Sequence, residues 1–303
     1  MSTKVPIKRK GAREEDEEGA SVIFVGPASS GKTTALILLH QTLVDYRDDL
    51  KCTYTPSIKN DAMDLFTETN RLIMNGSSPS PTVPSQKDTR IEFNLEFRGR
   101  FGGIKKVKLL FADMSGEISS TLMKIFPSLI NSANPQKVRE QLEQTGLNQE
   151  DVEYLIHTLL SAKGVILIAD ASQLGGPKSP DPELSKYLNN LYAYSLRHGE
   201  KPKGYALLLT KFDQFKIPGF ANPKDNQLRQ LARNLLSNTE NYAATFTGNN
   251  KSRFKVFYSV LVPNADGDGF VVNSNNERQQ SRVEYSVQQY VHLIEWLKDT
   301  FGE

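Results

Sequence analysis

The chain is poor in the residue types that build covalent or metal scaffolds, with one cysteine, Cys52, and four histidines in 303 residues. A single cysteine excludes an internal disulfide framework and fits a reducing compartment, the cytoplasm being the simplest reading. His40 and His157 fall on helical patterns without a second ligand at metal spacing, so core or surface positions are expected of them. No apolar run is long enough to span a bilayer, and the N-terminal residues, rich in Lys, Arg and Glu, lack the apolar core of a secretory signal. With neither a myristoylation start nor a prenylation end, a membrane would be reached through a partner. An excess of one charge is also missing. Lys and Arg number 37 against 35 Asp and Glu, and a formal net charge of +2 gives none of the broad basic field that a nucleic-acid binder needs.

What is present is organised around Gly26-Pro27-Ala28-Ser29-Ser30-Gly31-Lys32-Thr33, which fits G-x-x-x-x-G-K-[ST] at every fixed position. Its flanks supply the required context. Ser21 to Val25 is an apolar, β-branched strand pattern, and Thr34 to Leu39 begins a helical one. Gly26 and Gly31 let the backbone curl so that the N–H groups from Ser29 through Thr34 converge at a helix N-terminus, where phosphate oxygens are favoured. Lys32 would reach the terminal phosphates as a point charge, and the Thr33 hydroxyl would take one position on a Mg²⁺ bridging two of them.

Along the rest of the chain, residues 1–19 carry a basic block followed by an acidic one and read as a disordered tail. Residues 20–303 read as one elaborated domain, with additions at about 48–88 and 118–163. Leu36, Leu39, Leu43 and Tyr46 form a helical stripe. The next stretch reads as a turn around Thr55-Pro56, a helix over about 61–74, and a Ser/Pro-rich connection over 76–84. Ile91, Phe93, Leu95 and Phe97 alternate with polar residues as a half-buried edge strand, which a hairpin joins antiparallel to Val107–Ala112. The latter ends at Asp113-Met114-Ser115-Gly116-Glu117, where Asp113 can order the water shell of a Mg²⁺ and the Gly116 N–H can approach a phosphate.

Val165 to Ala169 and Tyr205 to Leu209 are unbroken apolar runs, as strands buried on both faces require. Helices are expected over about 184–197 and around Leu228–Leu235, a strand over 255–260, a loop over 263–281, and a last helix carrying Val283, Val287, Tyr290, Ile294, Leu297 and Phe301. Strands alternating with helices, with polar motifs where strands end, predict a doubly wound α/β fold. Its sheet would be mostly parallel, with one antiparallel edge strand and the site at the carboxyl edge.

Four motifs then stand in sequence order: GPASSGKT, DMSGE in the place of D-x-x-G-[QE], TKFD (Thr210 to Asp213) in the place of [NT]-K-x-D, and Tyr258-Ser259-Val260-Leu261 in the place of the S-A-K/L loop. In this set the chain resembles the small Ras-like GTPases, and more broadly the translation-factor-related P-loop GTPases, over about Ala20 to Phe301. The resemblance implies a P-loop GTPase fold with GTP or GDP and Mg²⁺ as ligands. It implies that Asp213 takes the guanine N1–H and exocyclic amine, that Lys211 lies along the base, and that Thr210 ties this loop to the P-loop. Ser259 and the Val260 N–H would meet the guanine oxygen.

For the switch threonine that closes on Mg²⁺ and the γ-phosphate, Thr82 is the first choice, with Thr55 and Thr89 as rivals. Glu117 stands where many relatives have a water-orienting Gln. A carboxylate there can accept from the attacking water but cannot donate to the phosphate, and its charge opposes the phosphate charge. The expected activity is therefore Mg²⁺-dependent hydrolysis of GTP to GDP that is slow without a partner, Lys32, Glu117 and Thr82 being the catalytic set. A regulatory protein, or a second subunit in a homodimer, would supply an arginine; Arg139 is a cis candidate that reads better as a surface ion-pair residue. The role implied is a nucleotide-dependent switch with effector or regulatory partners. Two alternatives are a pseudo-GTPase assembly module that binds guanine nucleotide without turnover, and a P-loop kinase, which leaves TKFD unexplained.

Overall fold

The computed structural model describes residues 19–27, 29–58, 60–74, 90–98, 103–112, 158, 161–198, 201–215, 223–248, 252–263, 269–272, 278–281 and 283–301. Seven strands form one sheet: β1 (Ala20–Val25), β2 (Cys52–Ile58), β3 (Arg90–Arg98), β4 (Ile104–Ala112), β5 (Gly164–Asp170), β6 (Gly204–Thr210) and β7 (Phe254–Tyr258), in the spatial order β2-β3-β4-β1-β5-β6-β7. β4, β1, β5, β6 and β7 pair in parallel, and β3 runs against its neighbours on both sides. The helices are α1 (Lys32–Asp45), α2 (Asn60–Met74), α3 (Asp181–His198), α4 (Asp225–Leu235), α5 (Ser237–Thr247) and α6 (Val287–Phe301). This is the α/β class expected, consistent with the P-loop GTPase fold.

Period-two alternation in the central strands assigns each side chain to one of two cores. Ile166 and Ile168 of β5, Ala206 and Leu208 of β6, and Val22 and Phe24 of β1 face a layer completed by α1 and α6. Val165, Leu167 and Ala169 of β5, with Tyr205, Leu207 and Leu209 of β6, face the opposite layer, which holds Tyr187 and Leu188 of α3, Leu228 of α4 and Ala243 of α5. Every residue of β5 and β6 is buried, which is why these strands read as continuous apolar runs. At about 1.5–3 kcal/mol for each large side chain removed from water, these two layers supply the main drive for folding. Because the parallel strands share a direction, the carboxyl ends of β1, β5, β6 and β7 gather along one edge.

Several expectations from the sequence need correction. β3 alternates as foreseen, with Ile91, Phe93, Leu95 and Phe97 buried, but it is not the sheet's edge. β2 lies outside it, where a turn around Thr55-Pro56 was expected. The proline is accommodated by its register. Cys52 N–H donates to Arg47 O at 3.1 Å, and Arg98 N–H donates to Lys51 O at 3.3 Å. Odd-numbered residues of β2 therefore bond to β3, while Cys52, Tyr54 and Pro56 turn their backbone groups outward, where a missing N–H costs no ladder bond.

Helix α5 was not anticipated. The expected loop over 263–281 contains an antiparallel pair, β9 (Gly269–Val272) with β10 (Arg278–Ser281). Val283 does not open the last helix but lies in β11 (Val283–Tyr285), which pairs with β8 (Leu261–Pro263). The tail before Gly19 and residues 118–157 of the expected addition lie outside the described residues.

Beside β2, the layer against α1 is closed by an aromatic group. His40 of α1 meets Phe66 of α2 edge-on at 5.0 Å between centroids, and its Nδ1 lies 2.6 Å from the Tyr54 hydroxyl. Burial lowers the His40 imidazole to about 4 from an ordinary 6.5. The folded protein thus keeps His40 neutral at pH values where the unfolded chain protonates it. This contributes nothing above about pH 7 and destabilises progressively as the pH falls from there towards 4, by on the order of 2–3 kcal/mol. Urea unfolding midpoints measured down that range should decline in the native chain. His40→Gln should flatten the decline, and an unchanged slope would mean that another group carries it.

Candidate functional site

The loop between β1 and α1 takes its course from its two glycines. Gly31 sits at φ 83° as the N-cap of α1, a left-handed conformation that favours glycine, and a Cβ there would come within 3.2 Å of the Thr210 side chain. At Gly26 a Cβ would lie 2.5 Å from Ile168 O and 2.8 Å from Ser30 Oγ, so the β1 exit can pass this close to β5 only without a side chain. The first turn of α1 has no acidic residue and no side-chain cap, leaving the positive end of the helix dipole without a protein carboxylate. Ser30 Oγ is buried and has no hydrogen-bond partner among the described residues. Lys32 Nζ folds back over the loop, donating to Gly26 O at 3.0 Å and Pro27 O at 2.7 Å. Small residues, a helix N-terminus without a protein carboxylate and a lysine folded over the loop are what a phosphate cradle would require.

β6 brings TKFD against this loop from 180 residues away. The Thr210 hydroxyl donates to Ser30 O and lies 3.2 Å from Ala169 O, joining the loop after β1 to the ends of β5 and β6. The next residue, Lys211, adopts a left-handed backbone at φ 51°, and its Nζ donates to Ser29 O at 2.9 Å. Consecutive side chains thus hold consecutive carbonyls of the P-loop. Phe212 is buried and packs on Tyr258 at 5.0 Å between centroids, pinning a short 3₁₀ turn (Phe212–Gln214) in which Asp213 remains exposed.

The end of β7 is tied to the same turn. Phe212 N–H donates to Ser259 O at 3.0 Å, and Ser259 N–H donates to Leu209 O at 2.7 Å. The Ser259 hydroxyl lies 2.7 Å from the buried Tyr290 hydroxyl of α6, and the Val260 N–H donates to Ser286 Oγ at 3.0 Å. The two groups expected to face a base oxygen are thus engaged within the protein. Burial pushes the Tyr290 phenol above its ordinary value, so it stays protonated as a partner for Ser259.

The structure therefore brings Gly26, Ser29, Ser30, Gly31, Lys32, Thr33 and Thr34 together with Thr210, Lys211, Asp213, Ser259 and Val260 at one sheet edge. Asp113, Gly116, Glu117, Thr82, Thr89 and Arg139 lie outside the described residues, and Thr55 stands exposed in β2. A Mg²⁺ would find Thr33 at the start of α1. Among the described residues no group of three or more His, Cys, Asp and Glu side chains could hold a metal by itself.

Three contributors were not foreseen. Asp170 closes β5 with a buried carboxylate 2.6 Å from Lys211 Nζ. Ser286 organises the loop after β7. Glu183 of α3 lies within the field of Lys32; burial raises its carboxyl above the ordinary value, against the pull of Lys32 and Lys186. Only Asp170 left a signal in the sequence, a carboxylate ending an apolar run.

The three-way joint at Thr210 gives a direct test. Thr210→Val keeps the β-branched shape and removes the donor, stranding buried carbonyls at a cost of about 1–3 kcal/mol. The denaturation midpoint should fall accordingly, Thr210→Ser should recover most of it, and equal midpoints for Val and the native residue would show that the hydroxyl contributes nothing.

No family model and no curated protein matches the chain. Among solved structures it is similar to the signal recognition particle receptor SRb-GTP/SRX complex from Chaetomium thermophilum, at 16% identity over 79% of this chain and 89% of that chain, with a TM-score of 0.37.

Proposed function

We propose that this protein binds GTP and GDP, hydrolyses GTP with the help of Mg²⁺, and acts as a nucleotide-dependent switch on regulatory or effector proteins. The observation that carries the reading is the joint between TKFD and the P-loop, in which Thr210 and Lys211 donate to the carbonyls of Ser30 and Ser29. A phosphate cradle alone fits any nucleotide; one fastened to an exposed Asp213 beside it supports a reader of guanine. In this arrangement the Ser29 to Thr34 N–H groups hold the phosphates, and Lys32 leaves the carbonyls of Gly26 and Pro27 to meet them. The Asp213 carboxylate accepts from the guanine N1–H and exocyclic amine, a donor pair that adenine does not present. Lys211 lies along the base plane. Ser259 and Val260 support the loop at the base oxygen. Mg²⁺, held by Thr33 with Thr82 and Asp113, would draw charge from the β- and γ-phosphates. Glu117 would accept from the attacking water.

Replacing Asp213 by Asn should reduce the preference for GDP over ADP by about ten- to a hundredfold, because one charge-assisted pair is lost. Titrations with fluorescent nucleotides measure this, and an unchanged preference removes Asp213 from base recognition.

Glu117 in the water-orienting position supports slow intrinsic chemistry, about 10⁻³ s⁻¹ or less. Single-turnover phosphate release from GTP by dilute protein, with and without Mg²⁺, tests this. Rapid release refutes the slow step, whereas tight binding with no release even when partners are supplied would favour the pseudo-GTPase reading.

A further inference from the structure

We propose that Asp170 is a positioning residue for the base pocket: by clamping Lys211 it sets how tightly any purine is held, while Asp213 sets which purine. The proposal rests on the guanine-nucleotide reading and assigns a function to a residue outside the four motifs. A buried carboxylate is costly unless it is paired and hydrogen-bonded. Asp170 is 3% exposed and meets four donors. Oδ1 accepts from the Ser172 N–H at 2.9 Å and the Ser172 hydroxyl at 2.6 Å. Oδ2 accepts from Gln173 Nε2 at 3.3 Å and Lys211 Nζ at 2.6 Å.

Three of these bonds are local and close the 3₁₀ turn Ala171–Gln173. The fourth reaches 41 residues along the chain, and it alone supplies positive charge. Lys211 is thereby fixed at both ends, by its left-handed backbone and by an ammonium shared between Asp170 and Ser29 O. A free lysine is among the side chains that lose most freedom on ordering. Here that freedom is already gone before a ligand arrives, so its four-carbon stem presents a preformed wall. Loss of the Asp170 charge would release the ammonium from one of its anchors. The wall would loosen without any change at Asp213, which lies two residues further on in a turn pinned separately by Phe212.

The test uses the full chain as wild type, Asp170→Asn, Lys211→Met and the double variant, with GDP and IDP as probes. IDP lacks the exocyclic amine, so the GDP-to-IDP ratio reports on Asp213; affinities are compared where the denaturation midpoint of each variant shows it fully folded, because a purely structural loss would scale both ligands through the folded fraction. Asp170→Asn should weaken GDP and IDP by the same factor, about tenfold, as expected for one charge-assisted contact. The ratio should stay at its wild-type value, and the double variant should bind no more weakly than Lys211→Met alone. Wild-type GDP affinity in Asp170→Asn overturns the proposal, as do losses that multiply in the double variant. Failure of the wild type itself to bind GDP overturns the guanine reading, and this proposal with it. Should Asp170→Asn not fold, Lys211→Arg replaces it. Arginine keeps the charge that Asp170 holds and should bind GDP within about threefold of wild type, and a loss equal to that of Lys211→Met overturns the proposal.

Discussion

The bond from the Thr210 hydroxyl to Ser30 O is the constraint on which the rest of the site depends. It fixes the exit of one strand to the end of another that does not pair with it, because β5 lies between β1 and β6. The same hydroxyl reaches Ala169 O in that intervening strand, so the ends of β5 and β6 and the loop after β1 are set by one oxygen. Glycine is favoured at position 31 apart from any ligand, by its φ of 83° and because a Cβ there would lie 3.2 Å from the Thr210 side chain. The loop after β1 is held from behind as well as from its own flanks, which is the kind of support that would keep a binding loop in one shape.

That support is possible because the sheet below it is rigid. β5 and β6 are buried on both faces, and their alternating residues divide between two cores so that neither strand can slip by one residue without exchanging its layers. The glycine-rich loop, the TKFD turn and the segment after β7 are each short departures from this frame. Backbone bonds join the TKFD turn and β6 to the segment after β7, Phe212 N–H to Ser259 O and Ser259 N–H to Leu209 O, while the side chains of Thr210 and Lys211 join the turn to the glycine-rich loop. Coupling between a phosphate and a base would need no long path, because both loops hang from the same strand ends.

Much of this was legible in the sequence, for identifiable reasons. Parallel strands covered by helices leave continuous apolar runs, and a phosphate loop needs glycine at positions fixed by backbone geometry. What escaped notice had weaker local signals. β2 contains Thr53-Tyr54-Thr55-Pro56, and the proline argued for a turn; only the register against β3 reveals that it falls where no ladder bond is made. Helix α5, Ser237–Thr247, is rich in Asn and Thr, poor helix formers, and is held from outside: Asp181 of α3 accepts from the backbone and side chains of Asn238 and Thr239. β9 and β10 flank Asn273-Ser274-Asn275-Asn276-Glu277, an Asn-rich sequence of the kind that favours turns. Asp170 was passed over because an apolar run was read as ending one residue before it. Its importance comes from a lysine distant in sequence, which no local pattern encodes.

Pro56 has a consequence beyond β2 itself. Along the outward rim of this strand the N–H of Cys52 is already taken by Arg47 and Pro56 has none, leaving Tyr54 and Ile58 as donors about 13 Å apart at ordinary strand spacing. An approaching extended segment would meet a broken row rather than a continuous template, so the seven-stranded sheet is protected from growing by addition at this end. Among the described residues β2 is the outermost strand at this end, and the proline that concealed it from sequence reading is also what interrupts its outward row of donors.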